Sequence, residues 1–217
     1  MNRYTLPDPV HSVLLTIDVQ REFLGEGSTG RDEKLEVIPS IKGITGLFRS
    51  RGLPIIHVVR IYLKDGSNAD ICRRYDIEEG LALLRPSSDE VQIVRDILPD
   101  PDIILDEKTL LRGDIQTIGP REFILYKPRF GAFYRTPLEM FLREKLALDS
   151  LVICGFNFPN CPRATIYEAS ERDLRIIALE DGISHIYHRG RKELEDIHVQ
   201  FLSLKEMEKR INKGLTA

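Results

Sequence analysis

Three side chains in this chain have the types needed to open an acyl carbon: the thiol of Cys161, the ammonium of Lys127 and the carboxylate of Asp18. A thiolate is a strong nucleophile, and a carboxylate beside it can take the thiol proton and later hand it to a departing amine. A lysine close to the sulfur favours the anion and offsets charge that develops on the attacked oxygen. Each of the three follows a short apolar run. Residues 12–17 lead into Asp18, residues 122–126 into Lys127, and residues 151–154 into Gly155 and a turn that reaches Cys161. Taken singly, a strand-end aspartate is most often a turn residue, a lysine a solvated charge and a cysteine a small core residue. Their placement at the ends of three different runs is what makes them candidates.

Pro162 directly follows Cys161 and is followed by residues with helical spacing. Proline suits the first helical position, where a missing N–H costs nothing, and the residue before it avoids the α region. The spacing therefore predicts a helix over 162–173 with Cys161 at its N-cap. There the helix dipole favours an anion such as a thiolate.

The remaining pattern supplies elements to hold these residues. Strands are expected over 12–18, 54–60, 122–126, 151–154 and 175–179, with a strand-like run at 198–202 and a minor strand at 103–105. A helix is expected over 34–51, with Leu35, Ile38, Ile41, Ile44, Leu47 and Phe48 on its apolar stripe and Gly52 as its stop. Further helical patterns cover 91–98, 137–146 and 204–211, and 64–68 is a polar loop. Strands alternating with helices argue for an α/β protein: a three-layer α-β-α arrangement around a mostly parallel open sheet. In such sheets the site lies beyond the carboxyl ends of the strands, where the three candidates stand. The 217 residues are read as one domain, 1–217, with 61–121 as a less regular insertion or cover segment.

Composition narrows the partners. There are 31 lysines and arginines and 34 aspartates and glutamates, a net charge of −3 with both signs spread along the chain. That distribution offers no footprint for nucleic acid and none for a membrane surface. The three cysteines, Cys72, Cys154 and Cys161, are too few and too odd for a disulfide framework and fit a reducing cytosol. No secretory leader pattern opens the chain and no apolar run approaches ~20 residues. The expectation is a cytoplasmic, soluble protein.

The three motifs together resemble the isochorismatase-like cysteine hydrolases. Asp18-Val19-Gln20-Arg21-Glu22-Phe23 is similar to that family's first-strand Asp-x-Gln-x-x-Phe motif. Residues 126–133, Tyr-Lys-Pro-Arg-Phe-Gly-Ala-Phe, resemble its lysine motif, with Thr136 and Leu138 in step. Gly155 through Cys161, continuing to Thr165 and Ala169, resembles its glycine-to-cysteine turn and following helix. The resemblance implies an Asp18–Lys127–Cys161 triad that hydrolyses C–N bonds of a small amide or carbamoyl compound through a thioester. It also implies a non-proline cis peptide at Phe156-Asn157, with the Asn157 and Cys161 N–H groups as the oxyanion hole, and a homo-oligomer. Pro162 has no N–H and so is excluded as a donor.

Two features depart from the family pattern. Phe158 and Pro162 stand where a threonine and a valine are usual. Nicotinamidases of the family carry a metal-binding Asp-x-His after the second strand, and the stretch from His57 to Tyr62 lacks it, so no catalytic metal and no cofactor are expected. Arg129 and Arg163 lie two residues beyond Lys127 and Cys161, where a guanidinium would bind a substrate carboxylate. Phe23, Phe130, Phe133, Phe158 and Tyr167 are the expected apolar walls. Cys154 is read as core, His185 and His188 as surface histidines, and Glu168 with Arg172 as a solvated i,i+4 pair. The competing expectations are an isochorismatase-type vinyl ether hydrolase, a non-catalytic oligomeric binding protein, and a redox-active thiol protein on the same fold.

Overall fold

The apolar runs of the sequence become the strands of a single sheet. A computed structural model describes residues 3–214. Its strands are β1 (Ser12–Ile17), β2 (Ile55–Val59), β3 (Gln116–Gly119), β4 (Glu122–Tyr126), β5 (Ser150–Gly155), β6 (Arg175–Ile183) and β7 (Gln200–Leu202), in the order β3-β4-β2-β1-β5-β6-β7. All neighbours pair in parallel except β3 with β4. Every residue of β1, β2 and β5 is buried. Burial on both faces explains why these strands read as continuous apolar runs rather than as alternating ones.

The helices are α1 (Arg31–Ser50), α2 (Ile71–Glu78), α3 (Glu107–Leu111), α4 (Leu138–Met140, continuing as a π turn over Phe141–Leu146), α5 (Cys161–Ser170), α6 (His188–Asp196) and α7 (Leu204–Gly214). Helix α1 turns Val37, Ile41, Ile44 and Phe48 into the core and packs beside α7, which buries Met207 and Ile211. Helix α5 packs against β5 and β6 with Ile166 and Ala169 buried. From β1 the chain moves to β2 on one side, and from β5 to β6 on the other. The carboxyl ends of β1 and β5 therefore diverge at a topological switch point.

The stretch 61–121 differs most from expectation. Residues 91–98 do not form a helix; only Arg95–Ile97 makes a 3₁₀ turn. Their backbone is taken up elsewhere: Arg21 N–H donates to Gln92 O, Glu22 N–H to Glu90 O, and Val94 N–H to Val19 O. Residues 103–105 are not a strand either, because Leu105 N–H is held by Gln92 Oε1 and Ile104 O by Gln116 Nε2. In their place stand α2, α3 and the antiparallel edge strand β3, none of which has a clear apolar period. Ile71, the first residue of α2, is 91% exposed.

One polar network crosses the sheet interior. His57 on β2 lies between Thr16 Oγ1, 2.8 Å from Nδ1, and Glu122 Oε1, 2.8 Å from Nε2. Arg49 donates to both Glu122 oxygens at 2.7 and 2.8 Å. Glu122 can only accept, so Nε2 of His57 carries the proton and Nδ1 accepts from Thr16. Burial outweighs the attraction of Glu122 and holds His57 below its ordinary value of 6.5. For Glu122, burial alone would raise the carboxyl, but the bonds from Arg49 and His57 dominate and hold it below 4.5.

Both shifts have the same sign for stability. The unfolded chain takes up a proton at His57 below pH 6.5, and at Glu122 below pH 4.5, that the folded chain resists. Stability is therefore expected to fall as pH drops from 7 to 5, read as the urea midpoint. His57→Gln should cost about 1–3 kcal/mol at pH 7 and flatten the fall over that interval. An unchanged pH slope in the variant would remove His57 from the account.

Gly155 has φ +123°, and a methyl group there would sit 2.1 Å from the Ile17 carbonyl oxygen. Gly155→Ala should destabilise by at least ~3 kcal/mol through backbone clash and strain. Chemical denaturation of the purified variant measures it, and a loss under 1 kcal/mol would show that the strands yield.

Candidate active site

The three strand-end residues converge. Lys127, fully buried, places Nζ 3.0 Å from Asp18 Oδ2, 3.3 Å from Cys161 Sγ and 3.2 Å from the Arg129 carbonyl oxygen. An ammonium has three N–H bonds, and each has an acceptor here. Lys127 is brought to this point by strand pairing, since its N–H continues the β2–β4 ladder by donating to Val59 O at 3.0 Å. Asp18 leaves β1 with φ +53°, a left-handed conformation that aspartate tolerates better than most residues. Its N–H donates to Val58 O, which fixes the backbone, while Oδ1 is buried with no hydrogen-bond partner.

The electrostatics correct one expectation. Lys127 and the helix start were expected to hold Cys161 as a thiolate. Burial, followed by the negative charge of Asp18, instead pushes the thiol up to about 12, outweighing Lys127. The cause is charge balance: the Lys127–Asp18 pair is already neutral, so a thiolate would add a net negative charge to a desolvated place. For Lys127, burial would lower the ammonium, but Asp18 and Cys161 dominate and raise it. The resting site is a thiol beside an ion pair, with the Asp18 carboxylate close enough to take the thiol proton.

The turn before the nucleophile is tied down at several points. Phe156 N–H donates to Ile17 O, Phe158 N–H to Ser184 O and Asn160 N–H to Asn157 O, each at 2.9 Å. The Ser184 hydroxyl donates to Asn157 Oδ1 at 3.1 Å. No cis peptide occurs among the described residues, so the Phe156-Asn157 bond is trans, contrary to expectation. A non-proline cis bond costs about 3 kcal/mol, and the turn already satisfies its backbone on both sides of Asn157 without one. Helix α5 also begins one residue earlier than expected. Asn160 is its N-cap, its carbonyl accepting from Ala164 N–H at 2.9 Å, and Cys161 is the first helical residue with Pro162 second.

The other residues singled out from the sequence divide into two groups. In the first group, Arg129 donates to Asn68 O at 3.2 Å and to Pro128 O at 2.6 Å, with no carboxylate partner among the described residues. Phe133 is buried, with its ring under Arg172 and its N–H donating to Glu168. Phe23 is half-buried and meets Phe156 edge-on at 6.5 Å. Phe158, by contrast, is fully buried and packs edge-on against Tyr187 at 5.4 Å. Arg163 is paired with Glu193 and the Tyr187 hydroxyl, and its guanidinium lies over the rings of Tyr167 and Tyr187. Tyr167 itself is partly exposed. Thus Phe158 and Arg163 face α6.

One further expectation fails. Glu168 and Arg172 are not a solvated pair: Glu168 Oε2 accepts from Phe133 N–H at 2.8 Å, and Arg172 Nε donates to Glu139 at 3.0 Å. Of the two histidines, His188 is exposed as expected, and His185 is half-buried, its imidazole against Gly30 with Nε2 3.8 Å from the exposed Glu33 Oε2. Cys154 is core as expected.

Sequence reasoning missed the polar frame beside the triad. Gln20, fully buried, exchanges two hydrogen bonds with the Arg60 backbone at 2.9 Å each and donates to Val91 O at 2.5 Å. It thereby joins the β1 end, the β2 end and the segment over them. Arg60, also buried, donates to Tyr126 Oη at 2.9 Å and to Asn68 O at 2.7 Å, and pairs with Asp70 at 3.4 Å. The signal available was position: Arg60 follows a fully buried strand, where an unpartnered guanidinium would be costly.

Comparison with known proteins agrees with this fold. Residues 12–194 match the model of the Isochorismatase domain. The chain is 28% identical over 164 residues to a probable inactive nicotinamidase of Arabidopsis thaliana, covering 75% of this chain and 74% of that one. It is 26% identical over 193 residues to a ureidoacrylate amidohydrolase of an Enterobacter species, covering 80% and 75%. Among solved structures, an isochorismatase family protein from Desulfovibrio vulgaris superposes with a TM-score of 0.76 at 23% identity, over 92% of this chain and 97% of that one. An N-carbamoylsarcosine amidase from Thermoplasma acidophilum gives 0.67 at 20% identity, over 89% and 96%. The family match spans most of the chain, and on that ground the protein belongs to the isochorismatase family.

Proposed function

We propose that the protein is a cysteine amidohydrolase that cleaves a C–N bond of a small amide or carbamoyl compound, with Cys161 as nucleophile. The observation that carries this is the Lys127 ammonium bonded at once to Asp18 and to the Cys161 sulfur. Asp18 removes the thiol proton as Sγ attacks the carbonyl carbon, and Lys127 offsets the charge carried by sulfur and oxygen. The backbone N–H of Cys161 receives the oxyanion in this reading, since the first N–H groups of a helix lack intrahelical acceptors; with the Phe156-Asn157 bond trans, the expected second donor, Asn157, has no such support. The C–N bond then breaks, and Asp18 passes its proton to the nitrogen, releasing ammonia or an amine. Water attacks the thioester, Asp18 takes its proton, and the thiol re-forms.

Arg129 supports a substrate with an anionic group, since its guanidinium, 5.9 Å from the Tyr134 ring, has only backbone acceptors among the described residues. Arg163 is already neutralised by Glu193. The activities named for two relatives, on ureidoacrylate and on N-carbamoylsarcosine, set the compounds to try first. The reading needs no metal, because Lys127 supplies the positive charge, and it takes the protein as cytoplasmic and homo-oligomeric. A redox role fits less well: a thiol pushed up to about 12 carries little thiolate at neutral pH. A non-catalytic binding role is the second reading, favoured by the relative named as inactive.

Ammonia release across a panel of amides and ureido acids decides between them. At least one compound should be hydrolysed, and Cys161→Ala should lower the rate by ~10³-fold or more. Release that survives in Cys161→Ala would refute the nucleophile, and a silent panel with the wild type would favour the binding role.

Alkylation tests the proton assignment. Iodoacetamide should modify wild-type Cys161 slowly at pH 7.5 and faster as pH rises. Asp18→Asn removes the charge that raises the thiol, so it should speed alkylation while lowering turnover by ~10²–10⁴-fold, the range for losing a general base. Slower alkylation in Asp18→Asn would contradict the sign.

A further inference from the structure

Helix α5 does more than carry the nucleophile. Cys161, Thr165 and Glu168 lie at i, i+4 and i+7, on one face, and Arg172 continues that line just past the helix end. Each of them meets Lys127 or the segment that follows it. The Cys161 sulfur accepts from Lys127 Nζ. Thr165 Oγ1 donates to Cys161 O at 2.8 Å and accepts from Ala132 N–H at 3.2 Å. Glu168 Oε2 accepts from Phe133 N–H at 2.8 Å. Arg172 lies 5.0 Å over the Phe133 ring and donates to Glu139. Two consecutive backbone N–H groups of the lysine loop are thus held by two side chains of the nucleophile helix.

The fit around Glu168 depends on Gly131. A methyl group on Gly131 would lie 2.2 Å from both the carboxylate carbon and Oε2 of Glu168. With no side chain at 131, the carboxylate can press against the loop backbone and reach Phe133 N–H. A solvated glutamate has no reason to occupy so tight a place, and a loop glycine without this partner has no need to lack a Cβ.

We infer that Glu168, seated against Gly131, is a positioning residue that fixes Lys127 relative to Cys161 by locking the lysine loop to the nucleophile helix. The inference rests on the triad chemistry proposed above. Its charge is incidental: what matters is an acceptor at the right height on α5. Displacing the carboxylate frees Phe133 N–H and leaves Thr165 alone holding the loop backbone at Ala132, and the loosened lysine loop then shifts against the sulfur. A misplacement of about 1 Å at a reacting group can cost on the order of 100-fold in rate.

Three variants test this: Glu168→Ala, Glu168→Gln and Gly131→Ala, each assayed for turnover of the best panel compound and for iodoacetamide alkylation of Cys161 at pH 8. Glu168→Ala is expected to lower kcat about 10- to 100-fold with KM changed less than about 3-fold, and to slow alkylation as the ammonium withdraws. Gly131→Ala, which expels the carboxylate without removing it, should reproduce both effects. Glu168→Gln keeps an acceptor for Phe133 N–H and should recover the larger part of both losses. If Glu168→Ala or Gly131→Ala lowers the unfolding midpoint yet keeps kcat and the alkylation rate, the residue is only structural and the inference falls. If Glu168→Ala does not fold, Gly131→Ala and Glu168→Gln decide it by the same criteria. Activity that survives Cys161→Ala would instead sink the triad chemistry, while the alkylation arm still reports on the loop.

Discussion

A lysine ammonium with no access to water is the constraint around which this site is built. Desolvating such a charge is costly unless all its donors are met, and removing one partner from a buried pair leaves the other exposed to the full penalty. Lys127 meets the requirement with a carboxylate, a sulfur and a backbone carbonyl. These acceptors come from three separate parts of the chain: the end of β1, the start of α5 and the loop after β4. The ion pair therefore specifies the mutual placement of those three parts as strictly as any apolar contact does.

That placement makes demands on the sheet. Strands β1 and β4 are separated by β2, so Asp18 and Lys127 meet only by reaching across the end of β2. Asp18 does this through its left-handed backbone, and Lys127 by continuing the ladder past Val59. Arg60, at the end of β2 itself, turns into the Tyr126–Asn68–Asp70 frame. On the other flank, Gly155 lets the β5 backbone approach Ile17 closely enough for Phe156 N–H to bond its carbonyl. The turn to Cys161 then starts from a point fixed against the same strand that presents Asp18.

How much of this could be read from the sequence follows from which forces are local. The strands and α1 were legible because burial on both faces, or on one helical stripe, writes itself into apolar spacing. Asp18, Lys127 and Cys161 were legible because each follows such a run. Stretch 91–98 was misread because its backbone partners lie at residues 19–22, some seventy positions away, and no local pattern records that pairing. Helix α2 was missed for the opposite reason: with Ile71 outside and Asp70 committed to Arg60 and Tyr62, it has neither an apolar stripe nor a free cap to announce it. Glu168 and Arg172 have the spacing of a solvated pair, and only the loop packed against them, with its glycine at 131, gives them other partners.

The protonation state of Cys161 shows why position alone could not settle the chemistry. A helix start and a neighbouring lysine both favour a thiolate, and reading them from the sequence gives that answer. Burial reverses it first, and Asp18 adds to this by balancing the charge of Lys127 that would otherwise favour the anion. The arrangement then stores its reactivity as a proton transfer rather than as a standing anion. In the proposed reaction, the proton that Asp18 takes on attack is the one the departing nitrogen needs. On the proposed chemistry, the same neutral balance that keeps the resting sulfur protonated also supplies the acid for the second half of the reaction.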